Sequence, residues 1–343
     1  MGELEKYPWL PLYLIRQDLI SCGGWLRPSL EVKNIGDVFL EKNGQNIITL
    51  PSMDLKPENS GIETQVNKLI EDLKCESVDV QRVATSELRI LTKHMENRIV
   101  IANCGAVSLL ISLLYSTDLG IQENAVTALL NLSINDEIKA AIADANVIDP
   151  LVHVLETGNA EAKENSAAAI FNLSALKELM LRSGRSGAIK PLVELLENGS
   201  PQGKKDAIRA LYNLSVITEN KPKIVEAGAV RPLIALMDPA LGMVDKAVAI
   251  LANLATVSEA QIAIGREGGI PVLVEVVELG SARGKENAAA VLLRLCTSSK
   301  RFCRQVLKEG AVPPLAALSQ SGTPRAKEKA RSLLCFFRNA GRV

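Results

Sequence analysis

The chain has 343 residues, 47% apolar and 23% charged, and its 39 basic and 39 acidic side chains leave a formal net charge of zero. That balance argues against a broad nucleic-acid surface or a polybasic membrane patch, and the length fits two ordinary domains or one elongated repeat array. Aromatic residues make up only 3%, which favours the array, because stacked helices of Leu, Ala and Val pack closely with few large rings.

The first 61 residues differ from the rest: they hold both tryptophans, Trp9 and Trp25, and interrupt every candidate helix with Pro8, Pro11, Gly23, Gly24, Pro28, Pro51 or Pro57. This composition predicts a poorly ordered N-terminal segment and linker over 1–61, the functional alternative being a short apolar docking peptide around Trp9 to Ile15. That apolar run is broken by Pro11 and follows the mixed-charge opening MGELEK, so neither a signal peptide nor a membrane span is expected. Lys6 stands where a myristoylation signal has Ser or Thr. The six cysteines form no CxxC, and only His94 and His153 supply imidazole, so no metal site and no cofactor are expected. The expected compartment is reducing, cytoplasmic or nuclear.

From Ile62 a ladder begins. Corners of the form Gly-apolar-apolar recur at Gly105, Asn146, Gly187, Gly228, Gly268 and Gly310, in steps of 41, 41, 41, 40 and 42 residues. Stepping back from Val107 reaches Val66, so seven units fill 62–343. Each unit reads as a short helix, such as Glu137 to Ala143, ended at a corner where Gly or Asn takes the left-handed conformation. A second helix follows with proline in its first turn, at Pro150, Pro191, Pro232, Pro271 and Pro314, where a missing N–H costs nothing. A third helix closes the unit after a Gly, Ser or Pro turn. Leu176 to Ser186 makes a poor first helix, and Pro222 disturbs another, so both units are expected to be locally loose.

The third helix is the most regular part: QENAVTALLNLS at 122–133 returns as KENSAAAIFNLS, KKDAIRALYNLS and VDKAVAILANLA, and more weakly as KENAAAVLLRLC and KEKARSLLCFFR. At helical spacing Ala125, Ala128, Leu129 and Leu132 form its apolar stripe, while Asn124, Thr127 and Asn131 share the exposed face. Aligned copies give a candidate partner-binding groove of Asn124, Thr127, Asn131, Asn165, Asn172, Asp206, Arg209, Asn213, Lys246, Asn253, Asn287 and Arg294. Asparagine amides offer a donor and an acceptor to a peptide backbone without reading its side chains. The alternative is that they satisfy backbone groups of the neighbouring repeat. Asp206, Arg209, Lys246, Arg294 and Lys329 break the neutral pattern, so the groove is neutral in its first half and more basic in its second. An acidic or phosphorylated segment suits that second half; a solvated face without ligand is the other reading.

A period near 41 with three helices per unit points to armadillo repeats, and the Gly corner followed by proline sets them apart from two-helix HEAT units. The predicted fold is therefore all-α, a right-handed α-solenoid of about seven armadillo repeats. The segments STDLGIQENAVTALLNLSIND, GAIKPLVELLENGSPQGKKDA and EGAVPPLAALSQSGTPRAKEKA resemble the armadillo region of plant U-box ubiquitin ligases, a likeness covering about Ile62 to the end. The resemblance implies a protein-binding module that recognises ubiquitylation targets or signalling regulators, with a separate U-box recruiting the conjugating enzyme. No U-box is traceable in residues 1–61, so an adaptor is the first expectation and a ligase whose U-box is absent or unrecognised is the second.

Rival motifs fail on context. Import-receptor grooves pair each Asn with a Trp one turn earlier, where this chain has Thr127, Ala168, Arg209 and Ala249. The stretches from Gly199 and Gly280 resemble phosphate loops but have three intervening residues and follow helices. NLS at Asn131, Asn172 and Asn213 matches the glycosylation sequon within helices of a chain with no secretion signal. Cys296 and Cys303 read as packing residues, and two histidines support no catalytic triad.

Overall fold

The computed structural model describes residues 60–340, which form 20 α-helices and one 3₁₀ turn, with no strand among the described residues. The poor order and docking peptide expected for the N-terminal segment lie outside the described residues.

The helices group into seven units. The first is a pair, α1 (Ser60–Lys74) and α2 (Val78–Leu91). The second is α3 (Met95–Asn103), α4 (Ala106–Leu113) and α5 (Leu119–Leu132), and the third α6 (Asp136–Asp144), α7 (Ile148–Thr157) and α8 (Ala160–Leu173). The fourth is α9 (Lys177–Arg185), α10 (Ile189–Asn198) and α11 (Pro201–Ser215). The fifth is α12 (Asn220–Glu226), α13 (Val230–Ala235) and α14 (Val244–Leu254), with the 3₁₀ turn Pro239–Leu241 before α14. The sixth is α15 (Ser258–Arg266), α16 (Gly269–Leu279) and α17 (Ala282–Ser298), and the seventh α18 (Lys300–Lys308), α19 (Val312–Ser321) and α20 (Pro324–Ala340).

Corner chemistry makes the triplets. Gly105, Asn146, Gly187, Gly228, Gly268 and Gly310 all take positive φ, from 57° at Asn146 to 88° at Gly187, and Asn146 is the sole non-glycine among the described residues that does so. Asparagine tolerates this region better than any residue with a bulkier branch. At the first corner α3 and α4 meet at 90°, so neither they nor any single described helix makes a straight span long and apolar enough to cross a membrane.

Third helices start at capped turns: Asp118, Asn159, Ser200 and Ser281 accept from backbone N–H groups of α5, α8, α11 and α17, each cap contributing about 1 kcal/mol. Their inner faces build one continuous core. Leu88, Leu129, Ile170, Leu211, Leu251, Leu292 and Leu333, one from each third helix, are all at most 1% exposed, and burying each such side chain stabilises the array by roughly 1.5–3 kcal/mol. Because each third helix packs against those of the adjacent units, an inner unit excised from the stack would leave faces of its helices wet.

First helices register by matched size. Two glycines of first helices, Gly184 on α9 and Gly265 on α15, each face a larger side chain of the next unit's first helix, Asn220 and Phe302. A Cβ on Gly184 would strike the Asn220 side chain, and one on Gly265 the Phe302 ring. This corrects the reading of Leu176 to Ser186 as a poor first helix: it is helical as α9, and its glycine is the socket for Asn220. That buried amide donates to the Met180 and Leu214 carbonyls at 3.2 and 3.1 Å, tying α12 to α9 and α11. Pro222 is the third residue of α12, where its missing N–H has no intrahelical partner to lose. Cys296 and Cys303 are buried and form no disulfide, and burial pushes the Cys296 thiol far above its ordinary range, which keeps it protonated.

Candidate partner-binding wall

The third helices α2, α5, α8, α11, α14, α17 and α20 stack side by side in order, so residues one repeat apart become neighbours across the stack. The predicted asparagine row is real, and its amides are anchored. Asn131 donates through Nδ2 to Thr92 Oγ1 at 3.1 Å, Asn172 to Ser133 Oγ at 3.1 Å, Asn213 to Ser174 Oγ at 2.7 Å and Asn253 to Ser215 Oγ at 2.9 Å. Each hydroxyl in turn donates to a carbonyl one turn back in its own helix, Arg89, Leu130, Phe171 or Tyr212, at 2.6 to 2.9 Å. The NLS triplet is thus a two-sided joint: its Asn reaches back to the previous repeat, and its Ser receives the next.

The joint explains where the row ends. After Asn253 the hydroxyl position is Ala255, which offers no acceptor, and the following repeat carries Arg294 in place of Asn. A half-buried amide keeps one N–H and its carbonyl oxygen after making one bond, so the structural use and a ligand-binding use of these residues are compatible.

A second row lies one to two turns earlier. Asn165 donates to Thr127 Oγ1 at 2.9 Å across the α8 to α5 boundary, and Thr127 donates to the Glu123 carbonyl. Asn124 accepts from Arg89 at 3.1 Å, and Arg89 also meets Glu123. Asn287, on α17, is half-buried at the corresponding place. In the fourth and fifth repeats the row changes sign. Asp206 is buried and accepts from Gln202 at 2.7 Å and Arg209 at 3.2 Å; burial pushes its carboxyl above the ordinary range although both donors oppose this. Lys246 sits 4.6 Å from the centroid of the Tyr212 ring, and burial together with Arg209 and Arg283 holds its ammonium below the ordinary lysine range. Lys221 donates to Thr256 Oγ1 at 3.1 Å and is depressed in the same way, by burial and then by Arg294, which is itself exposed.

Sequence reasoning missed a third row at the start of these helices. Arg82 donates to Asp118, Asn159 to Glu123, Ser200 to Glu164, Ser281 to Asp245 and Thr323 to Glu286, at 2.5 to 2.9 Å. In the last four, the residue that opens one third helix latches a carboxylate on the preceding one. The signal was present in the repeat alignment, since Glu123, Glu164, Asp245 and Glu286 align, but acids on a helix face read as solvated charge. The series breaks at Lys205, and there the fifth repeat replaces the capping residue with the Pro239–Leu241 turn and the left-handed Gly242.

Stacked three-helix units with left-handed corners and a laddered third-helix wall define an armadillo α-solenoid. A designed armadillo repeat protein solved in complex with the peptide (KR)4 shares this fold, with a TM-score of 0.57 at 24% identity, covering 67% of this chain and 99% of that one. The chain belongs to the family described as the plant U-box protein ARM repeat region, whose model matches residues 65–342. It is 72% identical over 316 residues to U-box domain-containing protein 4 of Arabidopsis thaliana, covering 92% of this chain and 37% of that protein. U-box domain-containing protein 2 of the same plant is 70% identical over 252 residues, covering 73% of this chain and 36% of its own length. The chain therefore spans little more than a third of the length of these relatives.

Proposed function

We propose that the third-helix wall holds an extended segment of a protein partner, and that the chain serves as the target-recognition or adaptor part of a ubiquitin-pathway protein in the cytoplasm or nucleus. One observation carries this reading: four equivalent asparagines stand in register on successive helices with their amides oriented by hydroxyls of the preceding repeat. Pre-set amides lose little freedom on meeting a ligand backbone. Helices packed about 8–10 Å apart match about three residues of an extended peptide at ~3.3 Å each, so successive amides meet equivalent backbone groups. The U-box in the relatives' names is what supports the pathway, with a conjugating enzyme as second partner where a U-box is present.

The two uses of the amides separate in a paired substitution. Retention of a degenerate 14-residue peptide library on the immobilised chain is measured beside urea unfolding. Asn172→Ala with Asn213→Ala removes both uses, so retention falls severalfold and stability drops by about 1–3 kcal/mol, two hydrogen bonds' worth. Ser133→Ala with Ser174→Ala removes the joint but leaves the amides, so stability falls similarly and retention largely survives. Retention that follows stability equally in both variants contradicts a binding role for the amides.

A further inference from the structure

Below the asparagine row, the ends of α5, α8 and α11 tighten by one turn. The Ile134 N–H donates to the Asn131 carbonyl at 3.4 Å, that of Ala175 to Asn172 at 3.4 Å and that of Val216 to Asn213 at 3.3 Å. A bond of this i to i+3 kind brings the two side chains it joins into line along the axis, so the residue three past each asparagine continues the wall on the same side. In the fifth repeat Thr256 fills this place, and its hydroxyl donates to the Asn253 carbonyl at 2.9 Å. Leu176, 38% exposed, belongs to the next position along, which bonds back to buried Leu173 rather than to Asn172.

Packing does not dictate what stands there. Successive repeats hold Lys93, Ile134, Ala175, Val216, Thr256 and Thr297, all exposed, so a lysine, an alanine or a threonine serves the stack as well as an aliphatic does. Ile134 and Val216 nevertheless keep branched aliphatic side chains 54% and 55% exposed, in the second and fourth repeats, with the small Ala175 between them. That alternation has the period of an extended ligand lying across the stack. One repeat passes about three peptide residues, and the side chains of an extended chain change sides at every residue. Peptide residues three apart therefore face opposite ways, and those six apart, which is two repeats, return to the same side. A helical ligand is the wrong occupant, because its backbone groups are already paired internally and leave the asparagine amides nothing to meet.

We propose that Ile134 and Val216 set the side-chain specificity of the groove: the bound segment carries two aliphatic residues six positions apart, one against each, while the asparagines hold its backbone. This rests on the reading of the third-helix wall as a peptide groove. Each contact removes two aliphatic side chains from water at once. Beside Ala175, the intervening side chain of the ligand faces away from the wall, so that position is not read. The amides supply affinity without regard to ligand sequence, and the two aliphatics supply the choice between ligands.

The test presents two degenerate 14-residue libraries to the whole chain, one with leucine fixed at the fourth and tenth positions and one with leucine at the fourth and ninth, other aliphatics being left out of both. The six-apart library is expected to be retained about tenfold more, the scale of burying one further aliphatic side chain. Ile134→Thr and Val216→Thr, made separately, each bring the ratio close to one. Neither changes the melting temperature, because both places are exposed and threonine occupies the same place in other repeats. Ile262→Thr removes an aliphatic 61% exposed on the first helix α15 and leaves the ratio intact. A ratio near one in the unaltered chain, a ratio unmoved by both wall variants, or an equal loss in the Ile262 control overturns the proposal. Retention of neither library above an unrelated protein overturns the groove reading and the proposal with it. Retention that Asn172→Ala with Asn213→Ala abolishes, but that shows no preference for the six-residue spacing, overturns the proposal alone.

Discussion

Asn172 and its equivalents tie successive repeats together, and in the proposed groove the same side chains meet the ligand backbone. The pattern at helical spacing located them, and the chemistry of an amide suggested either a ligand or a neighbouring repeat as partner; the sequence could not show which group across the stack the amide meets. That group is a hydroxyl two residues beyond the previous asparagine, a relation visible only once the helices are laid side by side. Asp206 was legible as a break in the neutral row but not as a buried acid. In an unfolded chain its carboxyl titrates near 3.8, and in the folded chain burial moves it higher. Between those values the folded state holds the extra proton, so stability falls as pH rises through that window and stays lowered above it. Asp206→Asn removes this loss: its urea midpoint at pH 7 exceeds that of the unaltered chain, and the difference shrinks as pH is lowered through the carboxylate range. Equal midpoints at pH 7, or a difference that widens on acidification, contradict this account of the site.

At the scale of helices, turn chemistry was the most legible feature. Each corner expected to be left-handed has positive φ, including Asn146, because only backbone freedom at one residue was needed to foresee it. Tertiary complementarity was less legible: a glycine such as Gly184 counts against a helix by propensity, yet here it makes room for Asn220. The fifth repeat departs most from its neighbours. Its second helix has six residues, α14 starts from Met243 with no side-chain cap, and the carboxylate latch is interrupted at Lys205. A missing cap is worth about 1 kcal/mol, so amides of α13 and the first turns of α14 are expected to exchange with deuterium about fivefold faster than those of α10 and α11. Equal protection across the two repeats would show that core packing alone sets local opening there.

For the array as a whole, successive units bury one another's faces, and the consequence is a wall longer than any one helix is wide. Its composition changes along the stack: exposed Val83 and Ile90 on α2, amides on α5 to α14, and cations on α11 to α17. In the proposed groove, a ligand that spans this wall meets apolar side chains at one end and cationic ones toward the other. The most direct test installs a photo-reactive benzoylphenylalanine singly at Thr127, Ala168, Arg209 and Ala249, one turn before the four asparagines, and maps each cross-link on a peptide selected from the library. The account predicts that the cross-linked position advances by about three peptide residues per repeat, in one direction. Cross-links from all four sites to the same short stretch, or to no ordered series, would contradict it.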